Sequence, residues 1–185
     1  MFRRPLGRPL RRAMLGNVPP ALRRANQLMA AGQFEPAAEI FEQFANAAEA
    51  RNGPRAPWFF LQAAQARLKA DQWGAGMAHL RRGLSILAGR GQFQRLANAG
   101  MRFVTELKAM GHLTEAEAIE AYLKFALPAG FTARTEPVMQ ATKRVLPTHC
   151  PGCGAPIRSD EVEWADELTA ECPYCGSAVR TEQTG

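Results

Sequence analysis

Near its C-terminal end the chain carries two cysteine pairs, Cys150-Pro151-Gly152-Cys153 and Cys172-Pro173-Tyr174-Cys175, with eighteen residues between them. This spacing falls in the range of four-cysteine zinc sites. Two residues between cysteines let the chain turn so that both sulfurs point at one metal ion. A glycine follows each pair, Gly154 and Gly176. Glycine adopts the left-handed conformation that finishes such a turn, and backbone N–H groups there can donate to the thiolates. Four thiolates form a closed tetrahedral shell with Zn–S of about 2.3 Å and leave no open position for a substrate. The expectation is one structural Zn2+ on Cys150, Cys153, Cys172 and Cys175.

This pattern resembles the zinc-ribbon family over residues 148–180, and the family's ligands carry over onto the same four cysteines. Residues 156–158, 162–164 and 177–180 read as short strands, with Trp164 covering the site or the small core. So short a segment cannot bury enough apolar surface alone, so the metal must supply its stability. His149 adjoins Cys150, but four cysteines already fill the shell, and it reads as a surface residue. Cys172-Pro173-Tyr174-Cys175 also matches the active-site tetrapeptide of the glutaredoxin family. A thiol redox role for Cys172 and Cys175 is the alternative, but it needs the first cysteine at a helix N-terminus, and Gly176 closes the turn instead.

Charge is unevenly spread. Residues 1–24 hold seven arginines and no acid, for a charge of +7. Residues 25–147 carry +4, and residues 148–185 carry −5, with Arg158 and Arg180 against seven acids. No apolar run approaches the roughly 20 residues of a membrane span. The basic start lacks the uninterrupted apolar stretch of a secretory signal, because Arg8, Arg11 and Arg12 break it. A cytoplasmic location is expected, and a reducing compartment argues against two disulfides.

Between the basic start and the cysteines the composition is helical: Ala, Leu, Arg, Glu and Gln are frequent, β-branched residues scarce. Pro19 and Pro20 suit a helix start, and Leu22, Ala25, Leu28 and Met29 follow at helical spacing. Gly32 ends that helix, and a second runs over about 35–51 with Pro36 in its first turn. Two further pairs are expected, 57–70 with 74–88 and 92–110 with 114–127. Thr114 and Glu117 have the spacing of a capping box. The run Trp58, Phe59, Phe60, Leu61 is too continuous for one helix face, so one of its aromatics must meet a neighbouring unit or a partner.

Phe34, Trp73 and Leu113 each follow a helix–helix turn, and Ala37, Gly76 and Ala116 come three residues later. Small residues there permit close contact between paired helices; the large residue before them anchors the turn against the first helix of its pair. Over about residues 20–127 the chain resembles the tetratricopeptide repeat family, most closely at 30–44, where Gly32, Phe34, Ala37 and Phe41 match. Asp71 replaces the turn glycine of the second unit, and Glu120 stands at a usually apolar position of the third.

The expected fold is mainly α: stacked helix-turn-helix repeats, tetratricopeptide-like, followed by a small β zinc ribbon. The expected organisation is a basic flexible tail (1–19), a helical repeat domain (20–127), a linker (128–147, with a short helix from 135 to about 145) and the zinc ribbon (148–181). No enzyme signature is present, and His79, His112 and His149 lie in separate segments. The expected function is a non-catalytic protein–protein interaction or adaptor module, with a protein or peptide partner on the repeats and no small-molecule substrate. The alternatives are weak nucleic-acid binding, or peripheral attachment to an anionic membrane, each through the arginine-rich residues 1–24. The acidic ribbon repels phosphate, so either contact would fall to the tail.

Overall fold

The structure, a computed structural model, describes residues 18–132, 145–159, 161–166 and 168–181. The basic tail up to residue 17, the short helix expected at 135–145 and most of the expected linker lie outside these residues.

Six helices come first: α1 (Pro20–Ala30), α2 (Phe34–Ala50), α3 (Ala56–Lys69), α4 (Trp73–Gly89), α5 (Phe93–Ala109) and α6 (Leu113–Ala126). A small antiparallel sheet follows, made of β1 (Glu163–Trp164), β2 (Thr169–Glu171) and β3 (Ala178–Arg180) in the order β1-β2-β3. Among the described residues the protein is thus mainly helical.

One device ends each of α1 to α5. A residue enters the left-handed region, and the next N–H reaches back to the carbonyl five residues earlier. Those bonds are Gln33 to Leu28, Gly53 to Ala48, Gln72 to Arg67, Gln92 to Leu87 and His112 to Leu107. The left-handed residues are Gly32, Asn52, Asp71, Gly91 and Gly111. Asp71, at φ 59°, does what glycine does in the other helix-pair turns, because Asp and Asn tolerate this conformation better than other side chains. Its carboxylate also accepts the indole N–H of Trp73.

Small residues let the helices approach. Ala37 and Ala116 are fully buried, and a Cβ at Gly76 would sit 2.7 Å from Leu68 Cγ on α3. Phe34 and Trp73 reach toward the following helix pair. Lys69 lies over the Phe34 ring, 5.6 Å from its centroid, and Trp73 stacks on His112. Leu113, the third anchor expected from the sequence, is exposed. The capping box does not form either: α6 starts at Leu113 straight out of the Gly111 turn, with His112 as its cap and no side-chain capping bond.

The aromatic run on α3 goes in several directions. Phe59 meets Phe44 of α2, with ring centroids 5.4 Å apart. Phe60 stacks on His79 of α4 at 6.0 Å, and Leu61 lies against Gly83 of α4. Trp58 turns the other way, edge-on to Tyr174 at 6.2 Å. So α3 is covered by α2, by α4 and by the cysteine-bearing segment, and one hydrophobic cluster includes residues of both the helices and the sheet.

The strands differ from the expectation. Residues 156–158 form no strand; Pro156 makes a single bridge to His149. Thr169–Glu171, which the sequence did not announce, is the central strand, pairing Trp164 with Ala170 and Ala170 with Val179. It alternates with only one apolar side chain, Ala170, facing in.

The tight helix contact yields a measurable contrast. Gly76→Leu should lower unfolding free energy by about 1–3 kcal/mol, the cost of overpacking. Gly74→Ala, with nothing within 4 Å of the added Cβ, should be neutral or mildly stabilising. Chemical denaturation of both variants measures this.

Candidate metal centre

Two turns of identical construction present the four sulfurs. In the first, Cys150 N–H donates to Ala155 O and Gly154 N–H to Cys150 O, each at 2.8 Å. In the second, Cys172 N–H donates to Ser177 O at 2.9 Å and Gly176 N–H to Cys172 O at 2.8 Å. Gly154 and Gly176 sit at φ 78° and 74°, the conformation expected of them. A Cβ at Gly176 would also strike the Arg55 guanidinium.

All four sulfurs lie within 4.8 Å of one another. Cys150 and Cys175 are 3.6 Å apart, and Cys153 and Cys172 are 3.9 Å apart. A disulfide requires about 2 Å, so neither pair is bonded. A zinc tetrahedron with bonds of about 2.3 Å puts its sulfurs about 3.8 Å apart, and the observed separations bracket that value. Donor chemistry and spacing therefore fit a metal ion held by Cys150, Cys153, Cys172 and Cys175. Among the described residues no other group of His, Cys, Asp or Glu gathers in this way.

Electrostatics point the same way. Hydrogen bonding with Cys153 lowers the Cys150 thiol to about 7. Contact with Cys150 holds Cys175 lower still, but pushes Cys153 and Cys172 upward. Four crowded thiols cannot all ionise beside one another without a cation. A divalent ion at the centre makes all four stable as thiolates. Ser177 Oγ stands 3.2 Å from Cys175 Sγ, the least buried of the set.

Cys172 leads into a turn and then β3, not into a helix. The low-pKa helix N-terminus of a thiol redox site is not formed there. His149 is exposed, with its Nδ1 3.1 Å from Thr148 Oγ1. His79 contacts Glu42 Oε1 at 2.8 Å on the helices, and His112 stacks on Trp73. The three histidines stay apart, as the sequence suggested.

The first helices of the three pairs, α1, α3 and α5, all hold the cysteine-bearing segment. Asn26 of α1 donates its Nδ2 to Cys153 O at 2.9 Å, tying α1 to the first cysteine turn. Tyr174, between Cys172 and Cys175, is 3% exposed and inserts against Trp58, with Gln62 as its hydrogen-bonding partner. Burial raises its pKa, so the phenol stays neutral. Arg55 pairs with Glu171 at 3.5 Å, Arg95 with Glu163 at 2.5 Å, and Arg102 with Glu161, itself 2% exposed. None of these docking residues was singled out from the sequence for this role. The signals were present: the acidity of residues 148–185 and the surplus aromatic on α3.

A comparison with protein-family models gives no match, and neither the curated proteins nor the solved structures searched contain one. The site's reading therefore rests on its own geometry.

Tyr174 separates docking from metal binding. Tyr174→Ala should cost about 3–5 kcal/mol through the cavity it leaves, yet retain bound metal. Tyr174→Phe should cost about 1 kcal/mol for the lost hydrogen bond with Gln62. Cys153→Ser should lose the metal outright. Metal analysis with denaturation curves reads all three.

Proposed function

We propose that the protein is a non-catalytic interaction module in which one structural zinc ion fixes a C-terminal ribbon onto a stack of tetratricopeptide-like helix pairs. The observation that carries this reading is the closed set of four sulfurs, which fills a tetrahedral shell and leaves no coordination position for chemistry. Binding is the role left to the remaining surface. Paired helices of this kind offer extended faces to protein or peptide partners, and repetition of the same turn at the end of α1 to α5 supports the repeat reading. Free thiols in a zinc site call for a reducing compartment, which favours the cytoplasm.

Arg23 and Arg24 are exposed on α1 and continue the run of arginines that begins at Arg3. They favour a second reading, in which residues 1–24 touch nucleic acid or an anionic membrane. Among the described residues no helix is long and apolar enough to cross a membrane.

Metal analysis of the purified chain, paired with affinity capture from native lysate with and without nuclease, tests the proposal. A single zinc per chain and protein partners that survive nuclease are expected. Partners that vanish with nuclease would move the function to nucleic acid.

A further inference from the structure

The face formed by α1, α3 and α5 is covered, and what covers it describes what it binds. Three arginines, Arg55, Arg95 and Arg102, meet three glutamates, Glu171, Glu163 and Glu161. Between them Trp58 takes the edge of Tyr174, while Arg95 lies 5.8 Å from the Trp58 ring centroid. The complement of this face is an acidic segment with one aromatic side chain, and the ribbon supplies that complement in cis.

Two features make the ribbon a displaceable occupant. First, the seam is incompletely filled. A cavity of about 80 Å³ lies between Pro54 and Arg55 of the α2–α3 turn, Trp58 and Arg95 of the helices, and Glu163 and Glu171 on the ribbon. A second, of about 250 Å³, runs between Leu22, Phe44 and Phe59 and the Tyr174–Cys175 turn. Second, two of the three ion pairs are open to water on the ribbon side, with Glu163 and Glu171 side chains 68% and 53% exposed. Such pairs steer and select more than they hold. The rim of the seam is thus polar around an apolar centre of Trp58 and Tyr174, as in interfaces that open and close.

We infer that the α1/α3/α5 face is a docking surface for an acidic, aromatic-bearing peptide segment, and that the metal-closed ribbon is its intramolecular occupant. The inference rests on the interaction-module reading and adds to it a surface, a partner chemistry and a gate. With the metal in place the ribbon is folded and the face is shut. With the metal gone the ribbon loses the fold that aligns Glu161, Glu163, Glu171 and Tyr174, and the face opens to a segment of like chemistry in trans.

The probe is a labelled peptide of residues 161–176 carrying Cys172→Ser and Cys175→Ser. It is titrated against the full chain in three forms: metal-loaded, chelator-stripped, and a metal-loaded variant with Glu161→Lys, Glu163→Lys and Glu171→Lys. Metal content and helical circular dichroism are read on each. The stripped chain and the Glu→Lys variant should bind the probe about tenfold or more tightly than the loaded chain, because apparent affinity scales with the open fraction. Raised salt should weaken that binding, and adding Arg55→Gln, Arg95→Gln and Arg102→Gln, which removes the cations without creating new pairs with the introduced lysines, should abolish it. If stripping melts the helices, the metal-loaded Glu→Lys variant decides. Probe binding no tighter there than to the loaded wild type overturns the inference. A wild-type chain without metal contradicts the zinc reading, whereas a metal-bearing Glu→Lys variant that gains no probe contradicts this inference alone.

Discussion

Four sulfurs around one point decide whether the C-terminal segment has any structure to offer. Its sheet has strands of two or three residues, and apart from Tyr174, which is buried against the helices, its buried apolar side chains are few and small: Ala155, Ile157, Val162, Ala170 and Val179. Such a segment cannot offset its own ordering entropy. Metal–thiolate bonding can, since structural zinc contributes about 10–16 kcal/mol in small zinc-dependent folds. Everything the segment does for the helices follows from that closure. Tyr174 is placed by the turn between Cys172 and Cys175, and Cys153 O is aimed at Asn26 by the turn from Cys150.

The helices bear the other side of this dependence. Arg55, the residue just before α3, and Trp58 and Gln62 within it lie along one face, at the three- and four-residue spacing that aligns side chains on a helix. Without the ribbon, Trp58 would be an exposed aromatic among arginines. With it, Trp58 is 3% exposed. The Arg102–Glu161 pair places the glutamate in a buried setting, with its side chain 2% exposed. Removing either partner would leave a charge without its counterpart there, which is costly, whereas buried pairs as a class add little net stability. The cysteine-bearing segment is therefore aligned by charge and held by Tyr174, and on the proposed reading both depend on a metal held by the four cysteines.

The sequence announced the cysteine site well because its chemistry is local. Two residues between ligands and a glycine after each pair fix the turn whatever surrounds it. Helix positions were legible for the same reason, through periodicity and the left-handed stops at Gly32 and Gly111. What was missed is long-range. The strand at 169–171 has too little apolar alternation to stand out. The capping expected at Thr114 lost to a backbone turn that needs no side chain. The surplus apolar residue on α3 was visible as surplus, but its partner, Tyr174, lies more than a hundred residues away. It reads locally as filler between two cysteines. Arg–Glu pairing across the seam left only a charge imbalance, which says that acids and arginines are segregated and not that they meet.

The account's central claim is that metal closure and helix docking form one coupled unit, and amide hydrogen exchange before and after chelation tests it most directly. Removing the metal should release the amides of residues 150–176 to fast exchange and lower protection along α3, while α4, whose hydrogen bonds, ion pairs and ring contacts among the described residues are with other helices and their turns, keeps its own. Unchanged exchange in residues 150–176 would contradict the dependence of the ribbon on metal. Fast exchange there with α3 unaffected would contradict the coupling.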